Sequence, residues 1–328
     1  MNQIVDVLIN ARHVLITTHI NPDGDAIGSS LGLYHWLQSH GISAIVMSPN
    51  ALPANLQWLP GADKVLVWEQ ASESLIHDAD VIVVLDLNAL SRLGKLGESI
   101  RSASSCIINI DHHTHPEDFA SIAWIDTEAC STSSMIASLI TTAPATLSSY
   151  SAQTATCLYT GIMTDTGSFR FPRTTADVFT TVAELVRNGA DPVLSYERVM
   201  NQGNVGRAKL LGKTLSTMDV RADGRLCVMV VSQADIQDYQ CSLEDIEGFV
   251  QHTLTLRGVE MGILLVELPD EIKCSFRSKG TAYVRDLAAS FGGGGHIYAA
   301  GARVRESSLQ TVANEIASKA IATLQTPR

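Results

Sequence analysis

Histidines and aspartates are concentrated in four short segments of the first half of the sequence, HINPDGDAIG, LDLN, NIDHH and TDTGSF. All of these side chains are ligands that divalent metal ions accept, and they are His19, Asp23, Asp25, Asp86, Asp111, His112, His113 and Asp165. Several carboxylates gathered in one place would repel one another, and a bound cation removes that repulsion. Imidazole and carboxylate together suit Mn²⁺, Mg²⁺, Fe²⁺ or Zn²⁺ better than Ca²⁺. The segments therefore predict a site for divalent metal ions.

The elements that must bring these side chains together are buried strands, which the sequence predicts at 14–18, 42–47, 81–87 and 106–110. These runs are apolar without alternation, and this pattern is typical of strands that are covered on both faces of a parallel sheet. A segment with helical spacing at 26–40 follows the first strand, and alternation of strands with helices indicates a doubly wound α/β domain. Because ligands collect beyond the carboxyl ends of parallel strands, the four segments are expected to converge on one edge of the sheet.

Each residue taken alone also has a simpler interpretation. An isolated Asp25 or Asp86 after a strand would more often be a helix N-cap than a metal ligand. An isolated His19 would more often be a hydrogen-bonded loop residue, and His113 could be a surface neighbour of His112. Their joint occurrence at the ends of successive elements favours the metal site.

Motifs in both halves of the sequence resemble those of a known family. HINPDGDAIGS, VVLDLNALSRLG, NIDHHTHP and TGIMTDTGSFRF resemble the four motifs of the DHH phosphoesterase superfamily, which is named after the tripeptide at 111–113. SFRSKG and YVRDLAASFGGGGHIYAAGA resemble the associated DHHA1 domain. We therefore expect a doubly wound, mainly parallel α/β domain at 1–190, a helical linker at 191–216 and a smaller α+β domain at 217–328. The active site is expected in the cleft between the two domains.

The resemblance also implies a ligand set for two divalent metal ions, with Mn²⁺ expected and Mg²⁺ or Fe²⁺ as alternatives. The implied ligands are His19, Asp23, Asp25, Asp86, His112 and Asp165. In this assignment His19 and Asp23 hold one ion. Asp25, His112 and Asp165 belong to the second ion, and Asp86 bridges both.

Catalytic and substrate-binding roles are implied by the same resemblance. Asp111 would orient a histidine by a hydrogen bond, and His113 would face the substrate phosphate. Arg277, in the strand-like SFRS, would make a bidentate phosphate contact, and exposed amides of GGGGH would hold a phosphate or terminal nucleotide. The expected substrate-binding residues are Arg92, Arg170, Arg277, Gly293, Gly294, Gly295 and His296. In isolation the glycine run would be a loop that ends the helix predicted at 284–291.

The size and the pairing of the domains most resemble the nanoRNase (oligoribonuclease) branch of the superfamily, whose members also dephosphorylate 3′-phosphoadenosine 5′-phosphate (pAp). We therefore expect a phosphoesterase for very short RNA, linear dinucleotides and pAp. A phosphodiesterase for cyclic di-AMP or its product pApA is a second hypothesis, and a non-catalytic nucleotide-binding regulator is a third. The complete ligand set argues against the regulator, whereas the sequence does not rank the two enzymes.

Composition and charge limit the partners. The chain has 328 residues, of which 45% are hydrophobic, and its formal net charge is −11. Coating of long DNA needs clustered Lys and Arg, so this charge argues against it. No apolar run approaches the ~18 residues of a membrane span, and residues 1–12 lack a signal-peptide core. We expect a cytoplasmic protein without membrane or long-DNA partners, and self-association into a homodimer is left open.

Overall fold

The structure, a computed structural model, describes residues 1–68, 73–295, 297–305 and 307–325. The chain divides into two compact units, Met1–Gln202 (unit 1) and Gly203–Arg328 (unit 2). The boundary lies within the segment 191–216, which the sequence analysis treats as a linker.

Unit 1 is built on a parallel sheet. Its strands are β1 (His13–Thr18), β2 (Ser43–Ser48), β3 (Leu66–Val67), β4 (Val81–Leu85), β5 (Cys106–Asp111) and β6 (Ile122–Ile125). Its α-helices are α1 (Asn2–Asn10), α2 (Gly24–Ser39), α3 (Glu73–His77), α4 (Lys95–Ser102), α5 (Thr132–Thr142), α6 (Ala152–Asp165), α7 (Ala176–Arg187) and α8 (Pro192–Met200). The described strands follow the order β3-β2-β1-β4-β5-β6, and every pairing between them is parallel. The doubly wound α/β prediction is confirmed.

The central strand β4 shows why the sheet strands lack alternating polarity. Val81, Val83 and Leu85 pack into the core that contains α2, α5 and α6, whereas Ile82 and Val84 pack into a second core with α4 on the other face. All of these side chains are buried, so both faces of the strand must be apolar.

The strand predicted at 81–87 ends earlier than expected, at Leu85. Asp86 has a φ of 61°, in the left-handed region, and this conformation cannot continue a strand. The short strands β3 and β6 were not predicted. Both residues of β3 are exposed and β6 is mostly half-buried, so neither has the apolar run that identified the central strands.

Unit 2 contains a mixed sheet with helices. Its strands are β7 (Asp219–Arg221), β8 (Leu226–Val231), β9 (Met261–Glu267), β10 (Glu271–Ser278), β11 (Gly294–Gly295) and β12 (Ala299–Arg305). Its α-helices are α9 (Val205–Leu215), α10 (Gln233–Asp238), α11 (Arg285–Ala289) and α12 (Leu309–Gln325). The described strands follow the order β11-β12-β10-β9-β8-β7, and β8 and β9 are parallel while the other pairs are antiparallel. This is the smaller α+β domain that the sequence predicts.

Short 3₁₀ helices connect several of these elements. They span Ala54–Leu56, Ala62–Lys64, Leu90–Leu93, Glu244–Ile246 and Phe249–Thr255. The segment treated as a linker is divided, because α8 belongs to unit 1 and α9 to unit 2. Among the helices that the structure describes, none has the length and apolar character needed to cross a bilayer.

The glycine run of unit 2 differs from the predicted loop. Gly294 and Gly295 form β11 and pair with Gly301 and Ala300 of β12. Gly295 has a φ of 140°, and a Cβ there would lie 2.6 Å from the carbonyl oxygen of Ala299. Glycine is required because the two backbones approach too closely for a side chain. His296 lies outside the described residues.

Candidate metal centre

The clustered residues lie at the point where the strand order of the unit 1 sheet reverses. β2 and β3 extend the sheet to one side of β1, and β4, β5 and β6 extend it to the other. His19 follows β1, Asp86 follows β4, and Asp111 ends β5. Open parallel sheets bind ligands beyond the carboxyl ends of their strands at such a reversal.

Three groups of side chains in this region could each hold a metal ion, since the ligand atoms within each group lie within 4.8 Å of one another. The groups are His19–Asp23–Asp86, Asp25–His112–Asp165 and Asp86–His112–His113. The structure thus brings together the residues that the sequence analysis selects as metal ligands. It places His113 with them as well, although that residue is expected to contact phosphate.

Asp86 occupies the centre of the cluster, with its two oxygens facing different histidines. Oδ2 lies 3.6 Å from Nε2 of His19, and Oδ1 lies 3.4 Å from Nε2 of His112. Two ligands at ~2.1 Å from one octahedral cation are ~3.0 Å apart when adjacent and at most ~4.2 Å apart when opposite. Both separations fall in this range, so each oxygen of Asp86 could share one cation with one histidine.

Both of these histidines are oriented by a backbone carbonyl. Nδ1 of His19 lies 2.9 Å from the carbonyl oxygen of Ile20, and Nδ1 of His112 lies 3.3 Å from that of Ala129. A carbonyl oxygen only accepts, so Nδ1 carries the hydrogen and donates it. Nε2 is then the nitrogen that faces Asp86 and could bind a metal ion, as in histidines that bind metals.

Asp23 caps a helix, which corrects the simpler interpretation offered for Asp25 and Asp86. Oδ1 of Asp23 accepts hydrogen bonds from the amides of Asp25 and Ala26 at the start of α2, at 3.0 and 3.1 Å. The capping position thus precedes Asp25 by two residues. The second oxygen of Asp23 remains available to the cluster, so capping and metal binding are compatible in this residue.

The carboxylate of Asp25 is held at the start of a different helix, α5. Its two oxygens accept hydrogen bonds from the amides of Thr132, at 2.6 Å, and Ser133, at 2.8 Å. The hydroxyl of Thr132 also donates to Oδ1 of Asp86, at 3.0 Å. A helix N-terminus favours an anion through its free amides and its dipole.

Thr132 and Ser133 are site residues that the sequence analysis did not identify. A signal was present, because CSTSS has the composition of a helix start and Ser131 is the N-cap of α5. Nothing in that segment shows which anion it receives, since Asp25 is 107 residues away from Thr132.

Burial and neighbouring charges shift the pKa values of several groups in the cluster. Burial, together with the charges of Asp86 and Asp165, raises the pKa of Asp25 well above its usual range. Burial likewise raises the pKa of Asp165 to about 7, and the charges of Asp86 and Asp23 add to this. Burial lowers the pKa of His112, but Asp86 outweighs this and raises it to about 10. Divalent cations would take the place of these protons, so the donor set fits metal ions.

His113 lies beside the cluster, and its two ring nitrogens contact Asp111 and Arg92. Its Nδ1 donates to Oδ1 of the fully buried Asp111, at 2.6 Å. Its Nε2 lies 3.3 Å from Nη1 of Arg92, which also lies 3.4 Å from the backbone oxygen of Asp86. Asp111 is therefore placed to orient His113, and Arg92 lies beside the cluster.

The remaining arginine of unit 1 that was expected to bind substrate is Arg170. Its Nε donates to the carbonyl oxygen of Gly167, at 2.6 Å, and its side chain is exposed. Within the described residues no contact joins Arg170 to the cluster. Its role in binding stays a prediction.

Three of the expected substrate residues of unit 2 surround a cavity of about 390 Å³. Arg277, Gly294 and Gly295 contribute to its lining. Arg277 is half-buried, and its Nη1 donates to the carbonyl oxygen of Phe276. Gly293 packs against the backbone of β12.

The helices that carry Asp25 and Asp165 approach each other through glycines. A Cβ on Gly28 of α2 would lie 2.9 Å from the backbone of Gly161 of α6. A Cβ on Gly161 would clash with Oγ of Ser133 and lie 2.9 Å from Oδ1 of Asp25. No motif in the sequence indicates this helix pair, and the contact fixes the position of α6 against the metal-ligand candidates.

Replacing Gly161 by Ala should therefore lower the free energy of unfolding of unit 1 by about 1–3 kcal/mol, because a methyl group is forced into a packed site. Denaturant unfolding of the metal-free protein would measure this. The matched control is Gly212→Ala, in the exposed middle of α9, where a Cβ meets nothing within 4 Å. Alanine should stabilise that helix by up to about 1 kcal/mol. A neutral Gly161→Ala would show that the helix contact is not tight.

Comparisons with known proteins extend over both units. The sequence model of the DHH family, N-terminal domain, matches residues 13–162, and that of the DHHA1 domain matches residues 223–323. The bifunctional oligoribonuclease and PAP phosphatase NrnA of Thermus thermophilus is 33% identical over 293 residues, which cover 89% of this chain and 84% of that protein. The cyclic-di-AMP phosphodiesterase PdeA of Listeria monocytogenes is 24% identical, over 95% of this chain and 48% of that protein.

A solved structure has the same fold over nearly its whole length. The crystal structure of an exopolyphosphatase-related protein from Bacteroides fragilis superposes with a TM-score of 0.93 and 34% sequence identity, covering 98% of this chain and 95% of that one. With matching motifs, family domains and architecture in both units, the chain belongs to the DHH/DHHA1 phosphoesterase family.

Proposed function

We infer that unit 1 holds two divalent metal ions, most suitably Mn²⁺, and that the protein hydrolyses phosphate esters of very short RNA, dinucleotides and pAp. The observation that carries this proposal is the position of Asp86, whose two oxygens each face one histidine of a different ligand group. In this assignment one ion is held by His19 and Asp23 together with Asp86, which both ions share. The second ion takes Asp25, His112 and Asp165.

When bound, two divalent cations would supply positive charge to the phosphate oxygens and activate the attacking water. The protein's own residues would orient the substrate phosphate and supply a proton to the leaving oxygen. The carboxylate of Asp111 fixes His113 through Nδ1, so that Nε2 faces Arg92 and accepts its N–H. A protonated Nε2 could hydrogen-bond to the phosphate or donate its proton to the oxygen that leaves phosphorus. Arg92, beside Nε2, adds a fixed positive charge for the same phosphate.

Two observations support a short substrate. The relative from Thermus thermophilus is named an oligoribonuclease and PAP phosphatase, and 84% of its length is covered by this chain. The net charge of −11 disfavours long RNA, which would be repelled by the surface and would gain few distributed phosphate contacts. Arg277 and the glycine segment of unit 2 are proposed to hold a part of the substrate that is not being cleaved.

A second candidate activity is hydrolysis of cyclic di-AMP or pApA. The observation that favours it is the similarity to the cyclic-di-AMP phosphodiesterase PdeA, which extends over 95% of this chain. This chain spans about half the length of that relative, so the similarity concerns about half of that protein.

A substrate panel tests the proposal and separates the two activities. Metal-free protein would be reconstituted with Mn²⁺ or Mg²⁺ and assayed on pAp, pApA, cyclic di-AMP, a trinucleotide and a long RNA of about 24 nucleotides, with the products resolved by length. We expect metal-dependent release of mononucleotides from the short substrates, at rates at least about 10-fold above that for the long RNA. Equal rates on the trinucleotide and the long RNA would contradict the short-substrate proposal. Preference for cyclic di-AMP would favour the second activity.

A further inference from the structure

Two loops of unit 1 leave the carboxyl edge of the sheet side by side, because they follow the neighbouring strands β4 and β5. The first loop passes through Asn88 into the 3₁₀ helix Leu90–Leu93, which carries Arg92. The second loop carries His113. Nη1 of Arg92 and Nε2 of His113 are 3.3 Å apart. The position of one loop relative to the other therefore sets the geometry in which these two side chains can act on one phosphate.

Asn88 connects the first loop to the second through both its side chain and its backbone. Its Nδ2 donates hydrogen bonds to the carbonyl oxygens of Thr114, at 2.8 Å, and His115, at 3.3 Å. The carbonyl oxygen of Asn88 accepts a hydrogen bond from the amide of Glu117, at 2.7 Å. His115 has a φ of 59°, in the left-handed region. Asn88 thus holds the second loop at a point where its backbone takes an uncommon conformation.

Glu117 connects the second loop back to the first. Its Oε2 accepts a hydrogen bond from the amide of Leu90, at 3.0 Å, where the 3₁₀ helix starts. The first amides of a helix have no partner within it, and the N-cap residue Ala89 supplies none from its side chain. Arg101, whose Nη2 lies 3.1 Å from Oε1, and the Leu90 amide lower the pKa of Glu117, so its carboxylate is ionised at neutral pH. A charged acceptor from the second loop thus caps the helix that carries Arg92.

Arg92 depends on this connection more than His113 does. His113 is held through Nδ1 by Asp111, the last residue of the buried strand β5. The helix of Arg92 is anchored by the buried side chain of Leu90, but apolar packing is not directional. The carbonyl oxygen of Arg92 also accepts a hydrogen bond from the amide of Ile20, at 2.8 Å. The contacts between the two loops are what relate this helix directly to His113.

We propose that Asn88 and Glu117, together called the loop clamp, are positioning residues that hold Arg92 beside His113 during the reaction. Neither side chain is assigned a contact with the substrate, and both act through Arg92. This inference rests on the proposed function, because it takes Arg92 and His113 to act on one phosphate. Displacement of a catalytic group by ~1 Å can lower a rate by ~10²-fold. Loss of the loop clamp should therefore lower kcat while the metal ligands keep their places.

Steady-state kinetics with Mn²⁺ and the trinucleotide would test the loop clamp in the variants Asn88→Ala and Glu117→Met. Each variant should lower kcat by about 10- to 100-fold and keep its metal content within about 2-fold of the wild type. Glu117→Gln retains an oxygen that can accept from the Leu90 amide, so it should keep kcat within about 3-fold. Wild-type kcat in Asn88→Ala and Glu117→Met, or an equal loss in Glu117→Gln, overturns the proposal.

A double-mutant cycle separates positioning from a general loss of structure. In an Arg92→Met background, Asn88→Ala should lower kcat further by less than about 3-fold, since the side chain through which it acts is already absent. A purely structural role would lower kcat by the same factor in both backgrounds. A further loss of about 10- to 100-fold in the Arg92→Met background would show that Asn88 acts by another route, and the proposal would then be wrong.

Two control variants remove similar groups without breaking the loop clamp. Asn10→Ala removes an exposed asparagine of α1 whose Nδ2 donates to the carbonyl oxygen of Asp6, at 2.8 Å. Arg101→Met removes the exposed ion-pair partner of Glu117 and leaves the hydrogen bond from Leu90 in place. Exposed ion pairs contribute little, so both variants should keep kcat within about 2-fold. If Arg101→Met loses as much activity as Glu117→Met, the ion pair and not the cap is responsible, and the role proposed for Glu117 fails.

Hydrogen exchange on the metal-free protein tests the loop clamp without any substrate. Peptides that cover 86–93 and 113–117 should both exchange faster in Asn88→Ala and in Glu117→Met, whereas peptides from the central strands should not change. Faster exchange in both loops supports the loop clamp even if the wild type hydrolyses no short RNA. In that case it is the proposed reaction that fails. Exchange that rises only in the loop carrying the substitution, in a protein that hydrolyses short RNA, overturns the inference alone.

Discussion

Replacing Asp86 by Asn should reduce kcat/KM by at least about 10³-fold and should release metal from both groups of ligands. The carboxylate faces His19 with one oxygen and His112 with the other, so its charge serves both proposed ions. Asn is a cleaner replacement than Ala, because residue 86 has a φ of 61° and Asn tolerates the left-handed region better. Elemental analysis of the purified variant and steady-state kinetics in Mn²⁺ would measure both effects.

The matched control lies at the other end of the same strand. Asp80 precedes β4 and accepts hydrogen bonds from the amides of Arg12 and His13, far from the carboxyl edge of the sheet. Asp80→Ala removes an aspartate of unit 1 and should leave metal content and kcat/KM within about 2-fold of the wild type, with a modest loss of stability. Full metal content in Asp86→Asn would rule out a bridging carboxylate.

Replacing His112 and replacing His113 should have different effects on kcat and on metal content. His113→Ala should lower kcat by about 10²–10⁴-fold while metal content stays near that of the wild type, since Nδ1 is committed to Asp111 and Nε2 faces Arg92. His112→Ala should lower both kcat and metal content, because its Nε2 lies 3.4 Å from carboxylate oxygens of Asp86 and Asp165.

Each of these two variants is the control for the other, because each removes one imidazole and the two positions are adjacent in the chain. Metal titration followed by single-turnover kinetics would separate binding from chemistry. If both variants lose metal equally, His113 is a ligand, in line with its membership of the group that contains Asp86 and His112.

The sequence predicts the central sheet and the identity of the clustered residues for a physical reason. Strands that are buried on both faces of a sheet produce long apolar runs in the sequence. A polar residue that directly follows such a run lies at the carboxyl edge of the sheet, because the strand ends there. Asp86 and the segment 111–113 are found there, as predicted. Asp165 ends a helix rather than a strand, so the rule for strand ends does not place it, and its residue type together with the family resemblance assigned it to the metal site.

Interactions between distant segments are what the sequence analysis missed. The amides of Thr132 and Ser133 hold Asp25, and no local pattern encodes a partner so far along the chain. The contact of Gly28 with Gly161 is of the same kind, since it depends on how two helices cross. In isolation the glycine run indicates a loop, whereas Gly294 and Gly295 pair with β12, and backbone pairing leaves no side-chain signature.

The positions of the proposed ligands along the chain also constrain when metal ions could bind during synthesis. The proposed ligands begin at His19, after the first strand, and end at Asp165, the last residue of α6. At the ~5–20 residues per second of translation, the residues between them take roughly 7–30 s to emerge. Throughout that interval the nascent chain exposes an incomplete set of carboxylates and imidazoles. The complete set of proposed ligands would therefore be available only late in synthesis, when most of unit 1 has emerged.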